Sequence, residues 1–485
     1  MSILGLFEKK HSPNTIFLGK KVVLGKCKDC GNNPVPHFIN WYFESLNILF
    51  TPLRQFLFFN RLSTFFVKLF RNLQGGYGLF LLGKFLRILK LQNDISKCKV
   101  ERAKVLWQEA IKRGIVMQEV LLFGRGIDVY LATSANQLIS QSVNQLIFSG
   151  LPRPEGFDGK ILDSMDDKAY LKRKFNKAGL PVPKGGSAWT FKQALNIFNS
   201  IIKPVPQNFF IVPSSRHFSK DFQKRSFIYG EEKLEENNKE IGQSSFEDGL
   251  RPSEKQWYIN SVIVKPRTGS RGRHTTTFVY NQNQFKKAYK SAKKLNFWVV
   301  VEQQLKGPVY RATLVNFELC GVLRGDPPCV LGDGKKSISE LIAEKNLQKL
   351  EKVKEVTINP EVVNFLNKQN LTVDSIPKLG ERVDLSEKIG VNYGGSSKEE
   401  LDICHSDNKE LFVKAAKVLG DPLVGFDFII PDITKSYKEQ IAGFIEANSL
   451  PFIQLHHQPL LGIPQNVAAK VWDMVFSTDT QISDR

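Results

Sequence analysis

The chain has 485 residues, of which 42% are hydrophobic and 11% aromatic, a composition that supports a packed core and excludes an intrinsically disordered protein. Its formal net charge is +20, and residues 1–110 carry 17 Lys and Arg against 6 Asp and Glu, so this part invites an anionic partner, either lipid headgroups or nucleic acid. Six cysteines spread over this length exclude a disulfide framework, and with no signal sequence at the start the default location is reducing and cytoplasmic.

Cys27 and Cys30 form a single CxxC that would need His11 or His37 to complete a zinc site; two thiols in a turn explain it as well. Residues 38–92 are crowded with Phe, Leu and basic residues, and their longest uncharged run, 72–83, is far short of the ~20 apolar residues of a spanning helix. Thr51-Pro52 reads as an N-cap and first helical position, and Arg54, Arg61 and Lys68 recur every seven residues, so an amphipathic helix is expected. Such a helix either lies on an anionic membrane surface, giving peripheral attachment at its inner face, or packs on its own domain.

Val100–Arg113 reads as a helix, and Val116–Phe123 and Ile127–Thr133 as short strands, together a small α/β unit. Residues 204–257 are polar, charge-mixed and without period, as in an inserted loop. The expected division is a basic helical region at 1–95, the small unit at 96–159, a large module at 160–475 carrying the 204–257 insertion, and a tail at 476–485.

An apolar strand from Trp257 ends in Lys265-Pro266 and is followed by Gly269-Ser270-Arg271-Gly272-Arg273. The glycines let backbone N–H groups approach phosphates, and the lysine adds a point charge. Further on, Val424–Ile430 and Gly443–Asn448 read as strands. Glu446 and Asn448, two apart, project to one face, and Asp427 can join them from the neighbouring strand, giving the oxygen donors magnesium favours. Two ordinary strands with an acid each is the alternative.

At this point the sequence resembles the ATP-grasp modules of cyanophycin synthetases and of bifunctional glutamate–cysteine ligase/glutathione synthetases. The resemblance is carried by Asp167-Lys168, Gly179-Leu180-Pro181-Val182-Pro183, Val264-Lys265-Pro266, Val301–Gly307, Tyr310-Arg311 and Val322-Leu323-Arg324. Its most family-specific strings are Pro327–Lys335 with Ser339–Ile342, and Leu371–Val383; it ends with Gly394-Gly395, Gly425–Asp427 and Glu446–Asn448.

The resemblance implies an α+β fold in which two α+β subdomains grip ATP. It implies an ATP- and Mg2+-dependent ligase, with Mn2+ as a substitute metal, that forms a carbon–nitrogen bond on an amino acid or short peptide through an acyl phosphate. Lys265 with Gly269, Ser270, Arg271 and Gly272 would meet phosphates. Glu302, Gln303, Gln304 and Leu305 would hold adenine, Asp427, Glu446 and Asn448 the metal, and Arg311 and Arg324 the transferred phosphoryl group.

The chain departs from the family at Val309, where an acidic residue normally meets the ribose, at His274 in place of a loop glycine, and at Gly390 and Asn392 before the Gly-Gly. These departures support a second reading, an inactive nucleotide-binding adaptor at a membrane surface. A full cyanophycin synthetase is not expected, because no Mur-ligase-like domain follows the module. Nucleic acid has only the overall charge in its favour, and a homo-oligomer is compatible with the sequence. His456 and His457 read as structural, and Cys320, Cys329 and Cys404 as core thiols.

Overall fold

A computed structural model describes the backbone and side chains of residues 80, 83–133, 146–155, 157, 165, 167–202, 261–268 and 272–476, and the backbone of 12–17, 20–24, 134 and 477. The CxxC at Cys27 and Cys30, the amphipathic pattern from Thr51 to Lys68, the 204–257 insertion and Gly269, Ser270 and Arg271 lie outside the described residues. Among the described residues no helix is long and apolar enough to cross a membrane.

After an antiparallel pair, β1 (Ser12–Phe17) and β2 (Lys20–Leu24), comes a unit with the sheet order β3-β4-β5-β6: β3 (Leu89–Gln92), β4 (Ile115–Leu122), β5 (Arg125–Ser134) and β6 (Leu146–Phe148), all antiparallel. Helix α1 (Glu101–Lys112) buries Ala103, Leu106, Trp107 and Ala110, one stripe at helical spacing. The expected helix and strands are present, except that Phe123 falls in a turn. The unit also starts earlier than residue 96, because β3 pairs with β4.

The next sheet, ordered β7-β10-β8-β9, is built from β7 (Gly185–Ala188), β8 (Val262–Pro266), β9 (Thr276–Val279) and β10 (Val299–Gln303). Helix α2 (Lys168–Lys177) precedes it, and α3 (Phe191–Ile201) and α4 (Gln282–Ala292) cover one face, where Val262, Val264, Val299 and Val301 pack against Phe198 and Phe285. Alternation therefore sends Ile263, Lys265, Val300 and Glu302 to the other face.

The third sheet, ordered β15-β12-β11-β16-β17, is antiparallel throughout. Its strands are β11 (Val309–Val315), β12 (Glu318–Asp326), β15 (Ser396–Glu399), β16 (Leu423–Ile429) and β17 (Gly443–Asn448). Between β12 and β15 a small lobe inserts: β13 (Cys329–Leu331) paired with β14 (Arg382–Asp384), and helices α5 (Ile338–Gln348) and α6 (Pro360–Lys368) with their own core. It holds both of the most family-specific strings.

One face of the third sheet packs Tyr310, Ala312, Phe426, Phe428 and Phe444 against α7 (Ser406–Leu419) and against Leu171 and Phe175 of α2. The Phe175 and Phe444 rings meet edge to face at 4.9 Å. Helix α2 thus rests its apolar side on the third sheet while its polar side reaches the second.

The short α8 (Gln454–His457) and α9 (Val467–Ser477) close the chain's described part. Helix α9 places Val471, Trp472 and Met474 in one core with Leu106, Trp107 and Phe148, so the first unit shares its interior with the last helix. A buried ion pair also ties the first unit to the third sheet: Arg153 Nη2 lies 2.8 Å from Asp421 Oδ1 and also donates to Leu423 O and Ser449 O.

Candidate functional site

Asp167 caps α2 by accepting from Ala169 N and Tyr170 N at 3.0 and 3.1 Å, and it also receives both arms of Arg267, at 2.7 and 2.6 Å. That clamp fixes the start of α2 at the end of β8. Lys172 then reaches Glu302 Oε1, while Lys265 Nζ stands 2.9 Å from Glu302 Oε2.

Burial pushes the Glu302 carboxyl up, but the two ammonium groups outweigh it and hold it at about 2. Burial pulls Lys172 down to about 7, against the attraction of Glu302, and Lys265 is raised because that attraction outweighs its own burial. Two cations around one carboxylate leave a buried surplus of positive charge, which an anion would neutralise.

The chain leaves the second sheet through Gln303, whose N–H donates to Lys184 O at 2.8 Å, and Gln304, whose N–H donates to Ser261 O at 3.0 Å. Leu305 is buried, and Gly307, at φ +108, lies so close to Ile430 O that a side chain there would collide with it. Gln303–Leu305 is therefore the link between the two sheets, beside Glu302. Gly272, the one loop glycine described, has φ +63, and His274 adopts φ +53, a conformation that favours glycine. His274 is buried, with Nδ1 3.0 Å from Ser291 Oγ.

Across the third sheet Arg311, Asp427 and Glu446 stand in register on β11, β16 and β17, and Asn448 is opposite Gly425 two pairs further on, on the same face. Arg311 grips Asp427 with Nε at 2.5 Å and Nη2 at 3.1 Å. Asn448 Nδ2 is 3.5 Å from Asp427 Oδ2, and Lys168 Nζ is 3.7 Å from Glu446 Oε1. Burial raises the Asp427 carboxyl in spite of Arg311.

The fit to a metal is good in kind. Two carboxylates and an amide are hard oxygen donors with no thiolate or imidazole among them, and a buried carboxylate pushed upward is one that a divalent cation would stabilise. Among the described residues no three His, Cys, Asp or Glu side chains converge, so the set has two carboxylates rather than three.

Arg324 stands elsewhere. It pairs across the hairpin with Tyr310, the neighbour of Arg311, so alternation turns Arg324 to the opposite face from Arg311. There it donates to Asp326 at 3.0 and 3.1 Å; Asp326 also receives Ser396 Oγ at 3.3 Å, and its carbonyl accepts from Gly390 N at 3.0 Å. Gly395 packs directly on that carbonyl. The expectation that both arginines face one phosphoryl group is thus corrected: Arg311 stays with the acids, and Arg324 braces the Gly390–Gly395 loop.

His456 is fully buried between Glu399 Oε2 and Thr313 Oγ1, each at 2.7 Å, which is a structural role. Val309 is half-buried on β11 between Gly325 and Ile429. Burial raises the thiols of Cys320, to about 11, Cys404, to about 12, and Cys329, as suits core residues rather than nucleophiles. Lys172 was missed by sequence reasoning; its signal was the four-residue spacing from Lys168 on one helix.

No family model matches the chain. The glutathione biosynthesis bifunctional protein of Clostridium perfringens is 28% identical over 255 residues, which is 50% of this chain and 33% of that protein. Cyanophycin synthetase of Crocosphaera subtropica is 31% identical over 230 residues, 45% of this chain and 26% of that one. The chain therefore spans about a third or less of the length of these curated relatives. Among solved structures, the bifunctional glutathione synthetase from Pasteurella multocida aligns over 78% of this chain and 43% of its own, at 23% identity and a TM-score of 0.46. The curated matches, together with the motifs from Asp167 to Asn448, make this chain similar to ATP-grasp ligases over about half of its length.

Proposed function

We propose that the chain is an ATP- and Mg2+-dependent carboxylate–amine ligase acting on an amino acid or short peptide in a cytoplasmic setting. The observation that carries this reading is the pairing of two charged centres along α2: a cationic Lys172–Glu302–Lys265 centre and the Arg311–Asp427–Glu446–Asn448 row.

Lys265 and Lys172 would bind phosphate oxygens of ATP, with Glu302 holding the two ammonium groups in place, and Gln303–Leu305 would border the base. Asp427, Glu446 and Asn448 would hold the magnesium, which supplies charge neutralisation at the transferring phosphoryl group. Arg311 would turn from Asp427 toward the same oxygens. The γ-phosphoryl group passes to a substrate carboxylate oxygen as ADP leaves. An amine then attacks the acyl carbon, loses a proton and expels inorganic phosphate, leaving an amide.

The test is magnesium-dependent ADP release with pooled amino acids, dipeptides and small carboxylic acids, comparing wild type with Glu446→Gln. Stimulated release that the variant lacks supports a ligase; ATP binding without release in any pool favours the inactive adaptor, which Val309 at the ribose position also favours. Peripheral attachment of residues 38–92 to an anionic membrane belongs to the proposal, on the basis of their composition.

A further inference from the structure

Strands β4 and β5 are joined by a two-residue turn, with Leu122 opposite Arg125, and both turn residues have positive φ, +51 at Phe123 and +74 at Gly124. This is the mirror-image turn that suits twisted hairpins, and its first position favours Asn, Asp or Gly because other side chains are strained there. Phe123 is an outlier for this position, and its ring is 79% exposed.

The β11–β12 turn shows what folding alone selects. Asn316 occupies the first position at φ +50, and Phe317, at φ +62, packs against the core of the third sheet. At Phe123 the strain has no such counterpart in packing, and strain kept at an exposed tip points to a use outside the fold.

A second apolar knob lies alongside. Leu89 pairs with Leu122, and the segment Gly83–Ile88, a helix end at 83–85 followed by a turn, packs Gly83 on these two residues, exposing Phe85 at 83% and Leu86 at 50%. Lys84, Arg87, Lys90 and Arg125 are exposed around them, and neither 83–90 nor 122–126 contains an Asp or Glu.

We propose that the Phe123–Gly124 tip and the adjoining Gly83–Ile88 segment form an anchor for an anionic lipid surface. Phe85, Leu86 and Phe123 enter the boundary of headgroups and acyl chains, and the four cations meet lipid phosphates. The four cations outnumber the nearest acids, Glu119 over Gly126 and the exposed Asp128, and this excess of positive charge opposes a second copy of this chain. Leu86 offers nothing to base stacking, which argues against single-stranded nucleic acid. The Phe-rich basic segment also enters here, through Phe80, whose ring is buried against Val120, Val129 and Leu131 behind this end of the sheet. The inference rests on the membrane reading of residues 38–92 and gives it a structured docking point; it does not depend on the ligase reading.

The test uses the full chain, sedimented with vesicles of phosphatidylcholine alone or mixed equally with phosphatidylglycerol. The variants are Phe123→Asn and the pair Lys84→Gln with Arg87→Gln. Asn suits the turn, so Phe123→Asn should melt at a higher temperature than wild type while binding the mixed vesicles about tenfold more weakly, as expected for removing one inserted ring. The paired variant should lose the preference for mixed vesicles. If Phe123→Asn binds as wild type does, the tip is not the anchor, and membrane attachment falls to other residues of 38–92; if wild type ignores mixed vesicles, both readings fail. Polyuridylate binding in place of vesicle binding would assign the patch to nucleic acid. Magnesium-dependent ADP release, measured on the same preparations without lipid, should be unchanged in these variants, so a failed ligase reading is distinguishable from a failed anchor.

Discussion

Arg311 holds both oxygens of Asp427, its cross-strand partner, at 2.5 and 3.1 Å, so the guanidinium sits where a metal bound to that carboxylate would place its charge. A cation bound there would therefore compete with Arg311 for Asp427. Arg311→Gln should bind Mn2+ alone about tenfold more tightly than wild type at pH 8, the loss of a charge-assisted fork being worth ~1.5–3 kcal/mol, while turnover falls. Mn2+ titration followed by EPR checks it, and equal affinities would show that the two cations do not compete.

Lys172 carries the surplus charge of its centre. Lys172→Met leaves Glu302 paired with Lys265, so the variant should fold with unchanged or raised thermal stability yet bind ATP at least about tenfold more weakly. Because burial brings Lys172 to about 7, wild-type ATP affinity should weaken from pH 7 to 9 as that ammonium is lost. The slope should be absent in the variant; isothermal titration at three pH values decides.

His457 Nε2 accepts from Ala468 N at the start of α9, 3.0 Å away, which requires a neutral ring. Burial, with a smaller push from His456, lowers His457 to about 4, against ~6.5 when unfolded. The unfolded state therefore takes up the proton first. The stabilisation is complete above about pH 6.5 and is lost as pH falls through about 4. Melting temperatures measured from pH 7 to 4 should fall more steeply for wild type than for His457→Gln; parallel curves would remove this role.

Gly395 lies against the carbonyl of Asp326, where a Cβ has no room. Gly395→Ala should cost about 1–3 kcal/mol and displace the loop that Arg324 and Asp326 brace, reducing turnover more than ATP binding. Chemical denaturation and ATP titration of the same sample separate the two effects.

Local periodicity made the helix of Val100–Arg113 and the strands carrying Asp427, Glu446 and Asn448 legible, because side-chain alternation is a property of a few consecutive residues. Arg324 escaped it: the face of that residue depends on the pairing of β12 with β11, and a shift of one residue reverses it. Lys172 with Glu302, and Arg153 with Asp421, are likewise partnerships between segments 130 and 268 residues apart, which no short window contains. Phe123 was read as the end of a strand because its apolar side chain fits one. Gly124 and the left-handed backbone make it a turn instead.

Trp472 Nε1 donates to Leu106 O across 366 residues of chain, within the core that α9 shares with α1. During synthesis the first unit must therefore wait, with Trp107 and Phe148 lacking their final cover, until α9 emerges from the ribosome. At ~5–20 residues per second that delay is tens of seconds, a window in which this half-built core is a natural client for a chaperone.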